Sequence, residues 1–140
     1  MTTCLQAFLL VLYGKMTELK KILVVDDEEP VREVLCRILE VNYEVVEAKD
    51  GNDAYQKYKE ESIDLVITDM IMPGMNGSEL FRKIRELNPD AKVYFISGYT
   101  GDEDIEQLIN EGALGIIEKP FTPSEIREKV NEVLKDNYPA

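Results

Sequence analysis

The chain contains no histidine. That absence removes a Ser-His-Asp or Cys-His triad, a histidine general base and any His-ligated zinc or haem. Whatever chemistry occurs must rest on carboxylates, hydroxyls, lysine and a hard metal. Cysteine is nearly as scarce. Cys4 and Cys36 are the only two, and they form neither a metal-ligand pattern nor a disulfide framework. Cys36 falls on an apolar helical face, where it reads as a small buried hydrophobe. Nothing points to an oxidising compartment, and the expected location is the cytoplasm. Basic residues are outnumbered, 16 against 28 acidic, for a formal net charge of −12. Such a balance opposes direct nucleic-acid binding, which needs clustered Lys and Arg. It favours a positively charged ligand, a divalent cation being the simplest. Long hydrophobic runs are missing too. The apolar stretch from Cys4 to Tyr13 is too short to span a bilayer, and it lacks the positive n-region and small-residue cleavage site of a secretory signal.

What remains is an ordinary soluble composition, 44% hydrophobic and 31% charged over 140 residues, enough for one domain. Residues 1–18 read as an N-terminal extension, with Met16 a plausible second start. Residues 19–137 read as the folded domain and 138–140 as a short tail. Lys21 to Val25 ends in four consecutive apolar residues, predicting a strand buried on both faces. Pro30 suits a first helical turn. Val31, Val34, Leu35, Ile38 and Leu39 then recur at the helical interval. Tyr43 to Ala48 predicts a second strand and Asp53 to Glu60 a second helix, with Ala54, Tyr55 and Tyr58 inward. Leu65 to Ile67 is the third strand, leading to Asp69. A helix from Ser78 buries Leu80, Ile84 and Leu87. Lys92 to Ile96 is the fourth strand. A helix from Asp102 to Asn110 places Ile105, Leu108 and Ile109 inward. Leu114 to Ile117 is the fifth strand. Thr122-Pro123-Ser124-Glu125 is a capping box that opens the last helix, running to about Lys135. Five strands alternating with five helices predict an α/β domain with a five-stranded parallel sheet, right-handed crossovers and helices on both faces. The flavodoxin-like order 2-1-3-4-5 is the common solution.

That order makes strands one, three, four and five contiguous. Their carboxyl ends then bring Asp26 and Asp27, Asp69, Ser97 and Lys119 to one edge, where such sheets place their sites. Taken singly, Asp69 could be a helix cap, Asp26 and Asp27 a solvated acidic turn, Ser97 a turn hydroxyl and Lys119 a surface lysine. Glu28 and Glu29 read as solvated charges favourable near a helix N-terminus. Together, three carboxylates a few ångströms apart repel unless a cation sits among them. Mg²⁺ suits such oxygen ligands. Lys119 and Ser97 would then face oxyanions. This arrangement suits phosphoryl transfer onto a carboxylate, with Asp69 as nucleophile and acyl-phosphate acceptor.

These segments carry a resemblance. Ile22-Leu23-Val24-Val25-Asp26-Asp27-Glu28, Asp64 to Gly77, Ile96-Ser97-Gly98 and Glu118-Lys119-Pro120-Phe121 stand in order across nearly the whole domain. In them the chain resembles a response-regulator receiver domain of two-component signalling, of the stand-alone chemotaxis-regulator kind. The resemblance implies that Asp69 accepts a phosphoryl group from a sensor histidine kinase or phosphotransfer protein. It implies Mg²⁺, with Mn²⁺ able to substitute, held directly by Asp27 and Asp69, through water by Asp26, and by the Ile71 carbonyl. It makes Ser97 the switch hydroxyl and the Lys119–Pro120 bond cis. Signalling would proceed by phosphorylation-dependent docking on the face of helix four, strand five and helix five, as a monomer or weak dimer, with no nucleic acid and no membrane. It would be no enzyme beyond its own phosphoryl transfer and autodephosphorylation. One position departs. The family often carries Tyr or Phe three residues before the lysine, and Ile116 stands there, so no ring is available to turn inward. A Mg²⁺-dependent aspartyl phosphatase also uses a carboxylate nucleophile, but usually after the first strand with a second Asp two residues on.

Overall fold

A computed structural model describes residues 19–98 and 105–134. The proposed extension 1–18, the tail 138–140, and the expected helix start at Asp102 and helix end near Lys135 lie outside the described residues. The elements run β1 (Lys21–Val25), α1 (Glu29–Leu39), β2 (Glu44–Ala48), α2 (Gly51–Glu60), β3 (Leu65–Asp69), α3 (Gly77–Leu87), β4 (Val93–Ser97), α4 (Ile105–Asn110), β5 (Gly115–Glu118) and α5 (Pro123–Leu134). All five strands are parallel, in the order β2-β1-β3-β4-β5. The expected flavodoxin-like single domain is therefore present.

Apolar side chains divide into two cores, one on each face of the sheet. Ile22, Val24, Leu65, Ile67 and Ile96 point to the face covered by α1 and α5. Leu23, Val25, Val66, Val93 and Phe95 point to the face covered by α2, α3 and α4. Alternation within a continuous apolar run follows from the strand's period of two, and explains why β1, β3 and β4 carry almost no polar side chain before their ends. Phe81 of α3 meets Phe95 edge-on, with ring centroids 5.7 Å apart, a favoured aromatic geometry.

Three helix residues read as inward are exposed: Val34 at 48%, Leu87 at 46% and Ile109 at 46%. In α1 the sheet side is centred on Leu35 and Leu39, with Cys36 buried on one flank and Val34 turned out on the other. In α3 Leu80, Phe81 and Ile84 are buried, and Leu87 is the last residue of the helix. In α4 Leu108 is the buried residue. The boundaries also shift. β2 starts at Glu44, β5 covers Gly115 to Glu118, and α2 and α3 start at glycines, Gly51 and Gly77. Polar caps set the helix starts. Asp50 accepts from the Asp53 N–H at 2.8 Å, Asn76 from the Glu79 N–H at 2.9 Å, and Thr122 from the Glu125 N–H at 3.1 Å.

Gly77 fixes how the loop after β3 returns to the sheet. Its N–H donates to the Met70 carbonyl at 2.8 Å. A Cβ there would lie 2.4 Å from the Asp69 carbonyl oxygen and 2.9 Å from Met70 Cα, with backbone rather than a flexible side chain in the way. Gly77→Ala is expected to destabilise the fold by about 2–3 kcal/mol, the upper part of the range for overpacking. Urea denaturation checks this, and an unchanged midpoint would show that the loop yields freely.

Candidate functional site

Strand register places the polar residues at the sheet's carboxyl edge. Val25 pairs with Thr68, so Asp26 lies level with Asp69. Asp69 pairs with Ile96, and Ser97 follows one step on. Ser97 pairs with Glu118, which carries Lys119 one step further. The Lys119 N–H donates to the Ser97 carbonyl at 2.9 Å, and the Lys119–Pro120 bond is cis. Sequence alone sets this arrangement, since each apolar run stops where its first polar side chain emerges.

Asp26 is 1% exposed, Ser97 2% and Asp69 7%, and buried polar side chains at strand ends need a reason. The Lys119 ammonium donates to Asp69 Oδ2 at 3.4 Å and lies 3.6 Å from Asp26 Oδ2. Asp69 Oδ1 accepts from the Ile71 N–H at 3.4 Å. Asp26 Oδ1 accepts from the Glu28 N–H at 2.9 Å, and Arg32 donates to the Asp26 carbonyl at 2.8 Å. Asp26 Oδ2 has no hydrogen-bond partner. Ile71, whose carbonyl was expected to face the site, has a side chain 59% exposed.

The electrostatics follow from burial. Desolvation pushes the Asp26 carboxyl above its ordinary value of 3.8; the Asp69 charge adds to the rise, while the Glu28 N–H and Lys119 oppose it. Desolvation likewise raises Asp69 above 3.8, against the pull of Lys119 and the Ile71 N–H, with the Asp27 charge adding to the rise. Burial alone would lower Lys119. The Asp69 and Asp26 charges outweigh it, and the ammonium sits above 10.5. One cation is therefore shared by two buried carboxylates that both remain under strain from desolvation.

The carboxylates that converge are Asp26, Glu28 and Asp69, with one oxygen of each within 4.8 Å of the others. Asp27 is exposed and stands outside this group, although its charge reaches Asp69. Glu28, read from sequence as a solvated charge, is exposed, and one of its carboxylate oxygens still comes within 4.8 Å of oxygens of Asp26 and Asp69. The donor set fits a hard divalent cation. It is all oxygen, and it includes a buried carboxylate oxygen, Asp26 Oδ2, with no hydrogen bond and only a share of the Lys119 ammonium at 3.6 Å. A second cleft, of about 350 Å³, opens at the opposite end of the strands beside Lys20, Asp64, Asn88 and Lys92. Its Lys20 and Asp64 pair with each other at 3.8 Å. Among the described residues no helix is long and apolar enough to cross a membrane.

Known proteins are similar to the chain over most of its length. The family model described as the response regulator receiver domain matches residues 22–131. The chain is 38% identical over 118 residues to the chemotaxis protein CheY of Thermotoga maritima, covering 83% of this chain and 98% of that one. A CheY-like receiver domain protein from Methanospirillum hungatei superposes with a TM-score of 0.80 at 34% identity, covering 86% of this chain and 97% of the other. A CheX-CheY-BeF3-Mg²⁺ complex from Borrelia burgdorferi gives a TM-score of 0.77 at 29% identity, covering 81% and 88%.

Proposed function

The chain belongs to the response-regulator receiver domain family of two-component signalling, and we propose that Asp69 is its phosphoacceptor, charged by a sensor histidine kinase or phosphotransfer protein. The observation that carries this reading is the shared position of Asp69: buried, at the strand edge, 3.4 Å from the Lys119 ammonium. An Asp69 carboxylate oxygen attacks the phosphorus and forms the new P–O bond. The bond from phosphorus to the donor breaks, and its electron pair leaves with the donor. Lys119 offsets charge on the phosphoryl oxygens, and Ser97, buried beside it, donates its hydroxyl to another. Asp26, Asp27, Asp69 and the Ile71 carbonyl would hold Mg²⁺, or Mn²⁺ in its place. Bound there, the ion neutralises the acidic cluster and the incoming phosphoryl charge.

Phosphorylation then acts through position. Ser97 and Lys119 are joined through the backbone at the ends of β4 and β5, so drawing the Ser97 hydroxyl toward a phosphoryl group bears on the end of β5 and on α4. Ile116 packs partly buried against the core on this side, and the change there is a shift of an aliphatic side chain rather than a ring rotation. The output is docking of a downstream protein on the face made by α4, β5 and α5, in the cytoplasm. Support for a protein partner comes from the Borrelia complex, in which CheY is joined to CheX.

Beryllium fluoride, a tetrahedral anion resembling a phosphoryl group, tests the site without a covalent step. With Mg²⁺ it should raise the melting temperature by several degrees, through ligand linkage. Asp69→Asn should abolish the rise. An unchanged wild-type melting temperature, or an equal rise in Asp69→Asn, would contradict the assignment.

A further inference from the structure

Glu28 occupies the N-cap position of α1, yet its side chain makes no capping hydrogen bond. A residue at that place would ordinarily accept from the N–H two or three residues on. Instead a Glu28 carboxylate oxygen lies within 4.8 Å of oxygens of both Asp26 and Asp69. The Glu28 N–H is also tied to Asp26 Oδ1 at 2.9 Å. The Glu28 charge is among those that hold the Lys119 ammonium in its protonated form. Glu28 is exposed, as is Glu29, the first residue of α1, but Glu29 stands outside the group.

The second observation is Asp26 Oδ2. It is part of a side chain 1% exposed and has no hydrogen-bond partner; the nearest cation, the Lys119 ammonium at 3.6 Å, is also paired with Asp69. Two buried carboxylates that share one ammonium leave an excess of negative charge that a further cation would relieve. Oxygens on opposite sides of a Mg²⁺ ion are about 4.2 Å apart, from the usual bond length of about 2.1 Å. The observed spread of up to 4.8 Å is thus within a small closing movement of one ion.

We propose that Glu28 is a further carboxylate of the divalent-cation site, acting beside Asp26 and Asp69. This rests on the receiver reading above and adds to it a residue that the family resemblance leaves as a surface acid. Glu28 sets how tightly the cation is held, and it does so through reach as well as charge.

The test is a Mn²⁺ titration of the full chain, followed by the electron paramagnetic resonance signal of free Mn²⁺. Glu28→Gln should weaken binding about tenfold, the low end of what supporting residues contribute to metal affinity. Glu29→Gln removes the same charge one residue away and should weaken it less than about twofold, as expected of a screened surface charge. Glu28→Asp keeps the charge but shortens the arm, and should weaken binding by about threefold or more. If Glu28→Gln matches Glu29→Gln, the proposal is overturned. It is also overturned if Glu28→Asp binds like wild type, since charge alone would then suffice. Asp69→Asn in the same titration separates the two claims. Wild type that binds no Mn²⁺ at millimolar concentration, or that is insensitive to Asp69→Asn, removes the receiver site itself. Binding that responds to Asp69→Asn but not to Glu28→Gln removes Glu28 alone.

Discussion

Replacing Lys119 with methionine should slow phosphorylation of the chain by a small-molecule phosphodonor about 100- to 1000-fold, the loss typical of removing one preorganised charge or donor from a transition state. Methionine keeps most of the volume and the aliphatic packing and removes only the ammonium. In the resting protein that ammonium lies 3.4 Å from Asp69 Oδ2 and 3.6 Å from Asp26 Oδ2. In the reaction it meets extra negative charge from the donor, so it stabilises the transition state more than the ground state. The rate of adduct formation, followed by mass against time at saturating Mg²⁺, gives the answer. A fall of less than about threefold would mean that Lys119 only neutralises the resting carboxylates. The variant should also lose stability at neutral pH, because two buried carboxylates would lack their shared cation. Circular dichroism at the assay temperature shows whether it remains folded during the measurement.

Asp26→Asn should have the opposite effect on stability. In the metal-free protein the Asp26 carboxylate is buried, one of its oxygens has no hydrogen bond and only the Lys119 ammonium at 3.6 Å, shared with Asp69, and desolvation lifts its pKa above 3.8. The asparagine carbonyl can keep the bond from the Glu28 N–H while the buried charge disappears. The metal-free variant should gain about 1–2 kcal/mol, the scale of an unmet buried polar group. It should also lose most of its response to Mg²⁺. The pH dependence follows from the same shift. A carboxyl whose folded pKa is raised takes up a proton on folding between 3.8 and that raised value. Metal-free stability should therefore rise as pH falls from neutral through that window, with Asp26 and Asp69 both contributing. Glu111 works in the other direction, because its hydrogen bond to Arg82 holds it below 4.5, but it is a surface pair and contributes little. Saturating Mg²⁺ should flatten or reverse the slope by favouring the ionised carboxylates. Urea midpoints measured across this range, with Mg²⁺ and with chelator, check both claims. A less stable metal-free Asp26→Asn, or identical slopes with and without Mg²⁺, would count against them.

The strand order and the identity of the strand ends were legible in the sequence because β1, β3 and β4 are buried on both faces. Such strands read as unbroken apolar runs, and a run has a visible end. Asp26, Asp69 and Ser97 are each the first polar side chain, or nearly so, past such a run. Helix faces were less legible. Val34 and Cys36 flank the same stripe of α1, and only packing against the sheet decides which turns inward. Leu87 matched the helical interval in α3, yet it is the helix's last residue and stays exposed, while Phe81, unremarked by the interval, is buried against Phe95. Four consecutive acids look alike along the chain; that a Glu28 oxygen comes within 4.8 Å of Asp26 and Asp69 oxygens while the side chain stays exposed is a property of the turn rather than of composition. The same turn leaves Asp27 exposed and buries Asp26, a division that adjacent identical residues cannot announce.

The most direct test of the account is the intact mass of the chain after incubation with acetyl phosphate or phosphoramidate and Mg²⁺. Wild type should gain one adduct of about 80 Da, the mass of an acyl phosphate on a carboxylate. Peptide mapping should place it on Asp69, it should fail to form in chelator, and it should be absent from Asp69→Asn. An adduct that persists in Asp69→Asn at the wild-type rate, or steady turnover of the donor with no adduct at any time, would contradict the assignment of Asp69 as the phosphoacceptor.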